Sequence, residues 1–273
     1  MSSKSLEGKV ALVTGASRGL GREGAVVAVH YGKNREAADT VVDNIKAAGG
    51  DAFAVQAEIG SVKSIDELFA TLDKELTVRT GAAHLDILVN NAGIAPNLPM
   101  EQTDEETFDR IFDVNVKGLF FVTKQAIGRL RDGGRIINIS SGLSRAVGGM
   151  NIPAYSATKG AVDVLTRQWA VAYGGRGITV NSLAPGAIDT DMNADWLRDN
   201  PEARAGIEDL ARLSGLAGRQ LGGGGALTVS GAVSPVSGAF DADLSLRGTD
   251  IGLGITELDR LLRGETTLRL AAN

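Results

Sequence analysis

The chain has 273 residues, a net charge of −5, and 43% apolar against 22% charged residues, enough for one large α/β domain or a smaller domain with an extension. It has no cysteine, which excludes disulfides, thiol catalysis and thiolate metal sites, and its only histidines, His30 and His84, are too few for a histidine-built metal centre. No lysine/arginine run, membrane-length apolar segment or signal-peptide core occurs, so neither nucleic acid nor a membrane is expected as a partner, and the cytoplasm is the expected compartment.

In chain order, Val10–Val13 is a short apolar run followed at once by glycines, the pattern of a buried parallel strand. Gly24–Tyr31 is a second such run. Glu36–Ala48 has helical apolar spacing and stops at Gly49-Gly50. Ala52–Ala57 reads as a strand, Ser64–Leu76 as a helix, and Leu85–Val89 as a strand running into Asn90-Asn91-Ala92-Gly93. A long helical stretch is predicted over Thr103–Arg131, then a strand over Arg135–Ile139 ending in Ser140-Ser141. Ala154–Tyr173 reads as a helix and Ile178–Leu183 as a sixth strand, ending at Pro185-Gly186. Strands alternating with helices imply an α/β fold with a Rossmann-like, doubly wound parallel sheet, whose ligands sit at the carboxyl ends of the strands. The polar motifs fall at those ends.

After residue 195 the pattern changes. Trp196–Leu213 is compatible with one or two helices, and Gly222-Gly223-Gly224-Gly225 with a flexible linker or tight loop. Ala226–Val233, Ala239–Arg247 and Thr266–Leu270 alternate apolar and polar residues, as half-exposed antiparallel strands do, with a short helix at Ile255–Leu262 between the last two. The expected organisation is an α/β domain over residues 1–213, a glycine-rich linker over 214–225 and a β-rich C-terminal extension over 226–273.

Two motifs carry the chemistry. Thr14-Gly15-Ala16-Ser17-Arg18-Gly19-Leu20-Gly21 can cradle a dinucleotide pyrophosphate. In Tyr155-Ser156-Ala157-Thr158-Lys159 the phenol and the ammonium lie at i and i+4 on one helix face. Lys159 beside the phenol would lower the Tyr155 pKa from about 10 towards neutrality. Tyr155 could then give a proton to a carbonyl oxygen or take one from an alcohol, with the Ser141 hydroxyl holding the same oxygen. At the end of the second strand, where a carboxylate would accept the ribose hydroxyls of NAD, stands His30-Tyr31-Gly32-Lys33-Asn34-Arg35. Arg18 with Lys33 or Arg35 can meet a 2′-phosphate, so NADP(H) is favoured and NAD(H) remains open.

With these motifs in this order, the chain resembles the short-chain dehydrogenase/reductase family over residues 6–213, in particular the 3-oxoacyl-carrier-protein reductases. The resemblance implies an NAD(P)-dependent enzyme, often a homo-oligomer, acting on a small or acyl-linked carbonyl. It implies a catalytic set of Asn115, Ser141, Tyr155 and Lys159, in which Asn115 holds a proton-relay water and Lys159 also binds the nicotinamide ribose. It implies cofactor contacts from Gly15, Ser17, Arg18, Gly19, Leu20 and Gly21 at the pyrophosphate, and from Tyr31 and Arg35 at the end of the second strand. Glu58 and Ile59 stand at the adenine, where the family usually has an aspartate and an aliphatic residue. Asn91, Ala92 and Gly93, then Pro185, Gly186, Ile188 and Thr190, complete the cofactor set, with no metal.

Two departures stand against the pattern. Only Arg22 and Glu23 separate Gly21 from Gly24, where the family has a helix of about three turns; Ala16–Glu23 is eight residues, whereas a parallel crossover with its helix takes at least roughly 10–12. An internal deletion that removes the helix holding the pyrophosphate is the simplest reading. The tail, which resembles repeats from elongated β-proteins of bacterial envelope assembly, replaces the family's last helix and parallel strand. The competing function is therefore a non-catalytic relic or chimeric binding module, with a damaged cofactor site and a β-rich interaction tail.

Overall fold

The computed structural model describes residues 6–15, 25–145 and 152–186, together with three strands at 222–233, 240–252 and 265–272. The rest of the glycine loop and the helices expected at Trp196–Leu213 and Ile255–Leu262 lie outside the described residues. The chain divides into two compact units.

The first unit contains β1 (Val10–Val13), β2 (Val26–Tyr31), β3 (Asp51–Gln56), β4 (Leu85–Asn90), β5 (Leu130–Ile139) and β6 (Thr179–Leu183). They form one sheet in the order β3-β2-β1-β4-β5-β6, with every neighbouring pair parallel. The chain winds outward from β1 to β3 and then returns to lay β4 on the other side of β1. The direction of winding reverses between β1 and β4, and in sheets of this kind ligands bind at the carboxyl edge of that switch point.

Local signals set the helices. In α1 (Arg35–Ala47) the Asn34 side chain accepts the Ala37 N–H at 2.9 Å, Ala38, Val41, Val42 and Ile45 line the buried face, and Gly49 leaves the helix at φ +81°. In α2 (Val62–Thr80) Ser61 caps Ser64, the stripe Ile65, Leu68, Phe69, Leu72 and Leu76 is buried, and Gly81 closes the end in the left-handed region.

The helix expected over Thr103–Arg131 is broken into parts. α3 (Glu105–Phe112) is capped by Asp104 on the Thr107 N–H at 2.8 Å, a π-helical segment covers Asp113–Gly118, and α4 (Leu119–Ile127) follows. Leu130 and Arg131 are strand rather than helix, because Leu130 pairs with Leu85 at the start of β4 and the Leu85 N–H donates to the Arg129 carbonyl. The π segment has a packing cause as well. A side chain at Gly118 would overlap the side chain and carbonyl of Ile59, so the helix approaches the β3–α2 connection only because that position is glycine. α5 (Pro153–Tyr173) begins with proline at its first position and buries Val162 and Trp169.

One core cluster joins α2, α4 and α5 to the sheet through Leu12, Leu88 and Ile136. The other joins Val13, Val27, Val29 and Val89 to Ala38, Val41, Val42 and Ile45, all from α1.

The second unit contains β7 (Gly222–Val233), β8 (Phe240–Gly252) and β9 (Glu265–Ala272), an antiparallel sheet in that order. Its three strands coincide with the three alternating runs. Gly222–Gly225, read from sequence as the end of a linker, belongs to β7: Gly224 and Gly225 pair with Thr249 and Gly248. Backbone pairing needs no side chain, so a glycine run opposite a committed strand can be drawn into the ladder.

Candidate active site

The carboxyl ends of β1, β4, β5 and β6 bring the polar motifs together. Thr14 follows β1, and its hydroxyl accepts the N–H groups of Asn91 and Ala92, both at 3.0 Å. The Asn91 side chain returns two bonds, to the carbonyls of Thr14 (3.0 Å) and Gly15 (2.9 Å). Gly15 sits at φ +61° with its Cα face on Ala92, where a Cβ would stand 2.8 Å from the Ala92 Cα. Only glycine fits there. Behind this turn Asn90 is buried, its amide donating to Thr123 (2.9 Å) and Asn138 (2.8 Å), and Asn138 donates to Thr166 at 2.8 Å. These bonds tie β4 and β5 to α4 and α5.

Asn115 lies in the π segment and is 1% exposed. Its side chain is fully engaged, accepting the Ile94 N–H at 2.8 Å and donating to the Ile94 carbonyl at 2.9 Å and to Thr158 at 3.2 Å. The Thr158 hydroxyl in turn donates to the Tyr155 carbonyl at 2.6 Å. Asn115 therefore locks the π segment against the chain after β4 and against the turn of α5 that separates Tyr155 from Lys159. No donor of the Asn115 side chain is left over for the proton-relay water expected there.

Lys159 is 5% exposed, donates to the Ile139 carbonyl at 2.7 Å and stands 5.5 Å from the centre of the Tyr155 ring. Burial lowers its pKa to about 8, against the opposing pull of Asp163 one turn on. At pH 7 it is an ammonium close to its titration point. The Tyr155 phenol is held above its ordinary pKa by burial, while its hydrogen bond with Ser141 acts the other way. The expected lowering by Lys159 is absent in this geometry, because the ammonium lies over the ring and is bonded to a carbonyl. A protonated phenol beside a serine hydroxyl is the arrangement of an acid ready to donate. Ser141 Oγ also accepts the Leu143 N–H at 3.2 Å, which fixes the serine at the end of β5.

Several residues that shape this site carry no motif. Asp163 is buried and accepts the hydroxyls of Ser144 (2.7 Å) and Ser182 (2.6 Å), pinning the segment after β5 to β6. Thr158 sits inside the Tyr–Lys spacing and was legible there as a small hydroxyl residue. Asp163, one turn beyond Lys159, had no sequence signal.

The cofactor set is distributed as follows. Glu58 is exposed at the mouth of a cavity of about 660 Å³ that Gly60, Arg110 and Val114 also line, whereas Ile59 is buried on Gly118. Gly93 lies beside Asn115 and Lys159; a Cβ there would come within 3.3 Å of the Asn115 Oδ1 and 3.6 Å of the Lys159 Nζ. Tyr31 is buried at the end of β2 under the exposed Arg35, whose guanidinium is 5.9 Å from the ring and bonded to Asp39 at 3.1 Å. The Pro185 carbonyl accepts the Gly142 N–H at 3.0 Å, and Gly186 is exposed. Ser17, Arg18, Gly19, Leu20, Gly21, Ile188 and Thr190 lie outside the described residues. A close backbone cradle at Gly15 and Gly93 beside a lysine, at the switch point of a parallel sheet, suits a dinucleotide.

Comparison with known proteins agrees with this geometry. The family model for short chain dehydrogenase matches residues 9–201. Versicolorin reductase 1 of Aspergillus parasiticus is 46% identical over 195 residues, 68% of this chain and 72% of that protein. Among solved structures, the angucycline C-6 ketoreductase LanV with bound NADP is 43% identical with a TM-score of 0.69, over 75% of this chain and 81% of that one. The reductase LugOII, which catalyses keto-reduction at C1 during lugdunomycin biosynthesis, is 48% identical with a TM-score of 0.64, over 68% of this chain and 79% of that one.

Proposed function

The chain belongs to the short-chain dehydrogenase/reductase family, and on that premise we propose that it is an NADP(H)-dependent oxidoreductase interconverting a carbonyl and a secondary alcohol, with Tyr155 as the acid/base. The observation that carries the reading is the half-buried Tyr155 beside Ser141, next to the buried Asn115, Thr158 and Lys159. The family's nicotinamide dinucleotide supplies or accepts the hydride when bound. Gly15 and Asn91 to Gly93 would hold it, with Lys159 at its ribose and Tyr31, Arg35, Glu58 and Ile59 around the adenosine end. The chain's own residues do the rest. Ser141 orients the substrate oxygen, Tyr155 gives that oxygen a proton in reduction or removes one in oxidation, and Lys159 stabilises the phenolate left behind.

The activities of these similar proteins, C-6 ketoreduction by LanV and keto-reduction at C1 by LugOII, support a ring ketone as the first substrate class to try, and the NADP bound by LanV supports NADP(H). Residues 1–213 would act as the catalytic domain, in the cytoplasm. A groove of about 530 Å³ lined by Phe112, Phe120, Phe121, Val164 and Leu165, with Phe120 and Val164 both more than two-fifths exposed, supports a homo-oligomer formed through this face. The test is NADPH titration followed by a ketone screen. Saturable binding with turnover that Tyr155→Phe abolishes is the expected result, and full activity in that variant overturns the assignment.

A second reading has its own observation. β1 and β2 are adjacent and parallel, yet only Thr14–Ala25 connects them, against a connection holding the 13-residue α1 between β2 and β3. The non-catalytic module with its interaction tail at 226–273 follows if a cooperatively folded chain fails to bind NADPH.

A further inference from the structure

His30 is the penultimate residue of β2 and is 2% exposed, an imidazole among the buried side chains of that strand. Its Nε2 lies 3.1 Å from the Ala57 carbonyl, and its Nδ1 accepts the Gly15 N–H at 3.0 Å. A carbonyl oxygen can only accept, so Nε2 carries the proton and Nδ1 is the bare nitrogen. Both partners agree on this single neutral tautomer. Burial, opposed by the bond to Ala57, lowers the ring's pKa to about 4, so it is neutral at pH 7.

The ring's position gives the bonds their significance. Gly15 is where the chain leaves β1 for the glycine loop, and Ala57 directly precedes Glu58 and Ile59. β2 lies between β1 and β3, so one side chain on the middle strand reaches across to both neighbours. Gly15 is then held on three sides: its N–H by His30, its carbonyl by Asn91, and its Cα against Ala92. The connection that follows is short, so the loop depends on anchors at its start.

We infer that His30 is a positioning residue: its ring sets the spacing between the glycine turn and the end of β3, and thereby the two ends of the adenosine-diphosphate half of the cofactor site. This rests on the cofactor reading above. His30 touches neither the nicotinamide end nor the acid/base set, and acts through Gly15 and Ala57.

The test uses the full chain, first without nucleotide. With two histidines in the sequence, His84→Gln leaves the His30 ring as the only imidazole signal in a long-range 1H–15N spectrum. The expected result at pH 7 is the Nε2-protonated tautomer alone; the other tautomer, or a mixture, overturns the inference. Exchange of the Gly15 amide should quicken about tenfold in His30→Phe, which loses the acceptor, and slow again in His30→Asn, whose Oδ1 can stand where Nδ1 does. Unchanged exchange in His30→Phe also overturns it. With NADPH, affinity should fall about tenfold in His30→Phe and recover in His30→Asn; equal affinities in all three chains argue against the positioning role. Should the unaltered chain bind no NADPH, the cofactor reading fails while the tautomer and the exchange rates still decide whether His30 holds the turn. Should His30→Phe not fold, the tautomer and His30→Asn decide it.

Discussion

On one face of the parallel sheet, α2, α4 and α5 bury Leu88 and Ile136 completely, whereas on the other the neighbouring Ile87, Ile137 and Ile139 are only partly covered and, among the described residues, the helix residues packed there come from α1. The proposed acid/base residues belong to the better-covered face. Asn115 and Lys159 sit on or beside helices that share the larger core, each tied by buried hydrogen bonds. Gly15, where the chain leaves β1, is held instead by hydrogen bonds with His30 and Asn91. The contrast teaches that two parts of one sheet edge can be supported differently, by helix packing under one and by hydrogen bonds around the other.

The largest effect should come from the helix-packed part. Tyr155→Phe removes the proposed acid at the substrate oxygen, so kcat should fall by about 10²–10⁴ with NADPH affinity unchanged. Steady-state kinetics beside a binding titration checks this. An equal loss of affinity would mean that the two parts are coupled.

His30 sharpens the comparison through pH. Its folded pKa of about 4 lies below the unfolded value of 6.5, so the unfolded chain takes up the proton first on acidification. Its contribution is fully present above pH 6.5 and is lost as pH falls towards 4, by roughly 3 kcal/mol. Urea unfolding of the native chain and of His30→Asn at pH 7 and pH 4.5 reads the difference, which should vanish if the ring is not buried neutral.

Inserting about eleven residues of helix-forming sequence after Gly21, some three turns, should strengthen NADPH binding by about thirtyfold if the short connection is the defect. No gain would show that the short connection already suffices. The smallest effect compares neighbouring positions on one strand. Leu88→Ala should cost about 3 kcal/mol, against about 1 kcal/mol for Ile87→Ala, because a side chain that is partly solvated leaves less cavity behind. Equal costs, measured by urea unfolding, would mean that the two faces are equally packed.

Much of the α/β unit was legible because its signals are local. The apolar run Val10–Val13 and the helical spacing of Glu36–Ala48 with its stop at Gly49 both act within a few residues of themselves. The boundaries that failed were set from far away. The helix expected to reach Arg131 stops at Ile127 because β4 captures Leu130, and Gly222–Gly225 enters β7 because β8 offers partners. In the site, spacing singled out Tyr155 and Lys159, the end of the fifth strand Ser141, and the family resemblance Asn115. The engagement of the Asn115 amide by Ile94 and the hold of His30 on Gly15 required partners 21 and 15 residues distant, and the raised phenol required burial by the folded chain.

The sequence by itself determined the order of strands and helices, the candidates for the acid/base set and the length of the first crossover, because periodicity, motif spacing and chain length are properties of the chain alone. Only the tertiary structure decided which charges and hydrogen bonds those residues carry. Burial of Lys159 and Tyr155, the neutral tautomer of His30 and the unequal cover of the two faces arise from what packs against each group, and that neighbourhood exists only once the sheet has brought distant segments together.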